Sequence, residues 1–164
     1  NYACIINFYY FRLLMEQKPP LLIDFMLRHA WHRVSRMYNN TASTEGMTMS
    51  VGFILMIVEK DGTPSTQLGP KMGMEPTSLS RTLNNMETNE LIERREFAGD
   101  KRKVNIFLTA KGVEKRKLVR DFLLDFNQKI ASKFKERDLQ GFMKVMNAVD
   151  LAIEEVEINK NTEV

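Results

Sequence analysis

A chain of 164 residues with 43% hydrophobic and 27% charged side chains is long enough for one compact domain with a buried core, and its composition is not that of a disordered protein. The formal net charge is only +3 and there is a single cysteine. These values exclude an intramolecular disulfide and a cysteine-based zinc site, and they fit a reducing compartment such as the cytoplasm. Charge is segregated rather than large: residues 93–120 hold ten Lys/Arg against four Asp/Glu, and residues 138–164 hold six acids against two lysines, the polarity of a protein that turns one side to a polyanion.

The first fourteen residues, NYACIINFYYFRLL, are nearly all apolar but too few to span a bilayer. Neither a basic leading region nor a small-residue cleavage pattern accompanies them. Residues 1–20 read either as an N-terminal extension preceding the usual start or as an accessory segment packed on a neighbour, a dimer interface being the natural place, with a membrane anchor the less favoured alternative and no membrane partner expected. After Pro19-Pro20, apolar residues recurring from Leu22 to Tyr38 predict a helix with one buried face, and NNTASTEG (39–46) reads as a loop. Thr48 is placed to cap a second helix, Met49–Glu59, whose core VGFILMIV is apolar all round and therefore central.

STQLGPKMG (65–73) predicts a short helix ending on Gly73, and Pro76 opens another with Leu79, Leu83 and Met86 on one face. LIERREF and KVNIFL predict two strands of a hairpin around the turn Ala98-Gly99-Asp100. Thr109 is expected to cap a long helix from Ala110 to about Phe134, with Leu118, Phe122, Phe126, Ile130 and Phe134 at four-residue spacing. Asp138 is expected to cap a last helix. The predicted fold is mainly α with one small β-hairpin.

Gly69, the turn glycine Gly73 four residues later and Leu79 six further on give two short helices that approach closely and lock through one apolar side chain, a helix-turn-helix. The outer face of the second helix offers Thr77, Ser78, Arg81, Asn84 and Asn85, side-chain types that reach phosphates and base edges in a major groove. The adjacent hairpin carries Lys101, Arg102 and Lys103 at its tip and so adds a wing able to meet the backbone or the minor groove. Arg95 belongs to the same basic face, while the run Lys115-Arg116-Lys117 reads as the exposed side of a long helix.

The segments PTSLSRTLNNMETNELIERR (76–95) and DKRKVNIFLTAKG (100–112) resemble, respectively, the recognition helix leading into the first wing strand and the Asp-x-Arg wing followed by Leu-Thr-x-x-Gly of the MarR family of winged helix-turn-helix transcriptional regulators. The resemblance covers roughly residues 21–157. It implies a N-terminal dimerisation helix and loop (21–46), a winged DNA-binding domain (47–112), C-terminal dimerisation helices (113–157) and a polar tail (158–164). It also implies a homodimer on pseudo-palindromic double-stranded DNA and a ligand pocket between the dimerisation and DNA-binding parts. Carried onto this chain, the recognition contacts are Thr77, Ser78, Arg81, Asn84 and Asn85. Asp100 orients a neighbouring arginine, Lys101, Arg102 and Lys103 meet the sugar-phosphate backbone or minor groove, and Thr109 and Gly112 are structural. Pro70 departs from the family pattern and is expected to shorten or kink the first helix of the pair.

Methionines such as Met56, near Trp31 and Phe53, are core filler or the lining of an adaptable pocket for a hydrophobic or aromatic effector. His29 and His32 lie one turn apart, but no cysteine or acidic cluster joins them apart from Asp24, so no metal site is expected. Nothing in the sequence around Cys4 lowers its pKa, so it does not read as an oxidant sensor. No phosphate loop, nucleophile motif or carboxylate pair is present, and neither catalysis nor a cofactor is expected. The sequence therefore reads as a DNA-binding regulator, a repressor released by a small ligand. A winged-helix protein-interaction module and a ligand carrier without DNA binding stand as alternatives.

Overall fold

The computed structural model describes residues 22–97 and 100–162, with the side chains of residues 97, 100–103 and 160–162 excepted. The apolar extension, Cys4 and the Ala98-Gly99 turn lie outside the described residues. In chain order the elements are α1 (Ile23–Thr44), α2 (Met49–Ile57), β1 (Thr63–Pro64), α3 (Ser65–Met72), α4 (Pro76–Thr88), β2 (Ile92–Phe97), β3 (Asp100–Leu108), α5 (Ala110–Ala131) and α6 (Glu136–Thr162). The chain divides between Ile54 and Leu55, inside α2, into two compact units.

In the first unit α1 is longer than its sequence suggests, because the polar stretch expected to form a loop is helical to Thr44. The reason is local. The Asn39 amide donates to the Ser35 carbonyl, the Ser43 hydroxyl to Asn40 and the Thr44 hydroxyl to Thr41, so side chains that favour loops here bond back onto the helix. The Asn39 amide oxygen also accepts the Met49 N–H at 3.1 Å, and the Thr48 hydroxyl accepts the Val51 N–H, which caps α2 as expected. Tyr38 meets Phe53 edge-on at 6.1 Å, and burial pushes the tyrosine hydroxyl above its ordinary pKa.

The second unit holds a three-stranded antiparallel sheet in the order β1-β3-β2. The hairpin is accompanied by a strand absent from the sequence reading: Thr63 pairs with Ile106 and Pro64 with Asn105. The Thr63 side chain is buried, and its hydroxyl accepts the Glu59 N–H at 2.9 Å, closing the chain after α2. Leu55, Val58, Leu68, Met86 and Ile106 are fully buried, and at about 25 cal/mol per Å² of apolar surface this set is the main source of the unit's stability. α3 continues through Pro70 to Met72, so the expected shortening does not occur. The last helix begins at Glu136 rather than at Asp138: the Asp138 carboxylate sits inside the first turn and reaches back to accept the Lys135 N–H at 2.9 Å, half of a capping box.

The second helix of the pair ends on an unusual residue. Glu90 has φ +58°, while the Leu91 N–H bonds to the Met86 carbonyl and the Glu90 N–H to Glu87, a left-handed termination normally given to glycine. Glu90→Gly is therefore expected to stabilise the protein by about 0.5–1 kcal/mol, read as a higher denaturation midpoint at unchanged slope. The lost Lys111–Glu90 ion pair, 3.7 Å long on an exposed surface, contributes little.

Candidate nucleic-acid interface

The helix pair is set by its glycines. Gly73 closes α3 with φ +60°, and the Met74 and Gly73 N–H groups bond to the Gly69 and Pro70 carbonyls, so two orphan carbonyls are satisfied and the chain reverses sharply. A Cβ on Gly69 would lie 3.3 Å from the Met74 carbonyl oxygen and 3.5 Å from Leu79 Cδ2. The close approach read from the sequence is thus present, with buried Leu79 packed against the glycine. Pro76 begins α4, where its missing N–H costs nothing.

Leu79, Leu83 and Met86 are 8%, 3% and 0% exposed. That burial fixes the rotation of α4 and leaves Thr77, Ser78, Arg81, Asn84 and Asn85 all exposed. Among the described residues Arg81 has no hydrogen-bond or ion-pair partner, so its guanidinium is free for an incoming group. The Ser78 and Asn85 carbonyls accept from Thr82 and Asn89 side chains, while the Ser78 hydroxyl and Asn85 amide have no partner among the described residues.

Two arginines on β2 have different positions. Arg94 turns to α4: one guanidinium arm donates to the Glu87 carboxylate at 2.6 Å and the other to the Asn84 amide oxygen at 2.7 Å. Its neighbour Arg95 turns to the other face, paired with Glu93 and lying 4.3 Å from the centroid of the Phe107 ring, a cation–π contact. The Cζ end of that ring faces Gly62, at φ +88°, where any side chain would collide with it. The sequence reading names Arg95 and not Arg94. Strand alternation separates the two, but only knowledge of which face α4 covers tells which one is engaged by the helix.

The basic cluster has a backbone explanation. Register runs from Ile92↔Leu108 to Glu96↔Val104 and then jumps to Phe97↔Asp100. Lys101, Arg102 and Lys103 therefore occupy the extra chain of an irregularity in β3, with no partner positions on β2, a device that re-aims side chains at a strand's end. The side chains of these three residues and of Asp100 are outside the described set.

Below the wing, the Thr109 hydroxyl donates to the Glu90 carbonyl at 2.6 Å and accepts the Gly112 N–H at 3.0 Å. It thus caps α5 and ties it to the end of α4. Arg116 is not an exposed member of a charged run. It is half-buried, and its guanidinium donates to the Val58 and Met56 carbonyls, both at 2.9 Å, closing the C-terminal end of α2.

The residues considered for an effector pocket do not fall in one unit: Trp31 and Phe53 belong to the first and Met56 to the second, and Trp31 is 52% exposed. Among the described residues, a cavity of about 680 Å³ lies between α3 and α4, lined by Thr66, Pro70, Met74, Leu79 and Leu83 among others. His32 accepts from Arg36 at 2.9 Å and His29 stacks on Phe25. Among the described residues no group of three or more His, Cys, Asp or Glu is arranged to hold a metal, and no helix is long and apolar enough to cross a membrane.

The helix pair α3 and α4, with a β-wing beside its polar-faced second helix, defines a winged helix-turn-helix. Residues 47–104 match the model of the MarR family. The matched segment runs from just before α2 into β3 and so takes in the helix pair and the first wing strand. Solved structures agree in fold. S. aureus MepR bound to DNA superposes with a TM-score of 0.70 at 21% identity, over 79% of this chain and 96% of that one. The MarR family transcription regulator SP03579 gives 0.72 at 19% identity, over 95% and 97%. The regulator MarR from Oenococcus oeni PSU-1 gives 0.64 at 15% identity, over 77% and 97%. A search of curated proteins finds no match.

Proposed function

We propose that the protein is a cytoplasmic repressor that binds pseudo-palindromic operator DNA as a homodimer and is released by a small hydrophobic or aromatic effector. The observation that carries the reading is the exposed face of α4, where Thr77, Ser78, Arg81, Asn84 and Asn85 stand opposite the buried Leu79, Leu83 and Met86. This face enters the major groove, and Lys101 to Lys103 reach backbone or minor groove from the wing. Support for the homodimer comes from apolar surface that a single chain leaves uncovered. Phe25, Met26 and Trp31 on α1, Leu118 and Leu124 on α5, and Phe142, Leu151, Ile153 and Val156 on α6 are all at least 37% exposed, far more than scattered surface apolars need.

Binding to a duplex carrying the operator is expected to weaken steeply with salt, log affinity falling linearly with log salt by about 0.9 per neutralised phosphate. Arg81→Ala should cost about 1–3 kcal/mol on the preferred duplex and flatten the choice among sequences. Arg102→Ala should weaken all duplexes alike and lower the salt slope by about one. Binding that ignores salt, or an Arg81→Ala variant with unchanged affinity and preference, would refute the assignment. Effector release requires that DNA lower effector affinity by the same factor as effector lowers DNA affinity, which titration of each ligand in the presence of the other measures.

A further inference from the structure

Among the described residues, Asn84 is the one of Thr77, Ser78, Arg81, Asn84 and Asn85 whose side chain is already engaged within the protein. Its partner is Arg94, 2.7 Å away on β2. A guanidinium carries donors only, so the Asn84 atom it touches must be the amide oxygen. The other guanidinium arm is held at 2.6 Å by Glu87, one helical turn from Asn84 on α4. Arg94 is thus clamped at both ends and cannot swing away without leaving the Glu87 carboxylate unpaired. Asn84 retains its NH2 group, which has no partner among the described residues.

We infer that Arg94 sets the base preference of Asn84 by fixing its amide with the NH2 free, so that it favours a base presenting acceptors in the major groove over the bidentate pairing with adenine. An asparagine free to rotate pairs with adenine by accepting from N6 and donating to N7. Guanine instead presents two acceptors, O6 and N7. With its oxygen held by Arg94, the amide is no longer free to turn that oxygen to the groove: Asn84 offers its NH2 to guanine or to the O4 of thymine, and is poorly placed to accept from the adenine N6 or cytosine N4 amine. Arg94 is therefore a positioning residue for recognition, acting through Asn84 and not by touching DNA. Asn85, whose amide has no partner among the described residues, keeps the ordinary adenine option.

This inference rests on the DNA-binding reading, and the test separates the two. Preferred duplexes are selected from a randomised pool with the full chain, with Asn84→Ala and with Arg94→Met, and relative affinities are measured at each base pair. The wild type is expected to disfavour adenine against guanine about tenfold at the base pair whose preference Asn84→Ala abolishes. In Arg94→Met the same pair should shift to within about threefold of parity or toward adenine, whatever the overall loss of affinity. Adenine preferred by the wild type at that pair, no base pair altered by Asn84→Ala, or an unshifted preference in a folded Arg94→Met would each overturn the inference while leaving DNA binding intact. Absence of wild-type binding to any duplex would overturn the DNA-binding reading and this one with it. Should Arg94→Met fail to fold, Arg94→Ser, which also releases the Asn84 oxygen, takes its place with the same expected shift, and an unshifted preference in it overturns the inference.

Discussion

Gly112→Ala is expected to destabilise the winged unit by about 3 kcal/mol, at the upper end of what an added methyl group costs in a packed site. Gly112 is buried in the first turn of α5, and a Cβ there would be driven into the Leu91 carbonyl oxygen, with Leu108 Cβ only 3.4 Å away. That carbonyl is not a yielding neighbour. It accepts the Thr109 N–H at 3.2 Å, and the Thr109 hydroxyl bonds to Glu90 and to Gly112 itself. Relief requires lifting the start of α5 from the end of α4 and breaking those bonds together. The control is Gly141→Ala in α6: no atom lies within 4 Å of its added Cβ, so the helix should gain about 0.5–1 kcal/mol. Chemical denaturation of the two variants beside wild type gives both values. A Gly112→Ala protein as stable as wild type would show that α5 is not seated on Leu91.

Arg116→Met should cost about 2–3 kcal/mol, although it removes a charge from what reads as a solvated run. The substitution keeps much of the apolar stem but strips two donors from the Met56 and Val58 carbonyls, leaving acceptors at a helix end unsatisfied. The guanidinium also sits where the α2 dipole is negative, which adds to the loss. Lysine at this position can serve one carbonyl but not both in fixed geometry, so Arg116→Lys should recover part of the loss only. Lys117→Ala, on an exposed neighbour, should change stability by less than about 0.5 kcal/mol. Equal effects at 116 and 117 would mean that the carbonyl contacts contribute nothing.

What was legible in the chain was local. Gly69, Gly73 and Leu79 announced the helix pair because turn chemistry and close approach need only a few neighbouring residues, and Thr109 announced its helix for the same reason. The wing strands were legible from alternation. The failures have equally definite causes. Residues 39–44 carry loop-forming side chains that bond back to their own helix, an outcome that composition alone does not distinguish from a loop. β1 is two residues long and includes a proline, so it has no period to detect. Arg116 bonds to carbonyls 58 and 60 residues earlier, a relation created by the tertiary fold. On the candidate interface, residue types and the outward face of α4 could be read directly. That Asn84 is bonded to Arg94 could not, because the bond joins a helix to a strand across ten residues.

The order β1-β3-β2 leaves two open borders, and neither invites growth. On one side stands a strand of two residues, of which Pro64 has no amide hydrogen to offer, too short a template for another chain to zip onto. On the other, β2 presents four consecutive charges, Glu93, Arg94, Arg95 and Glu96, that resist stacking of like edges. A partially unfolded molecule in a crowded cell therefore exposes little on the described edges that would seed fibrils from this sheet.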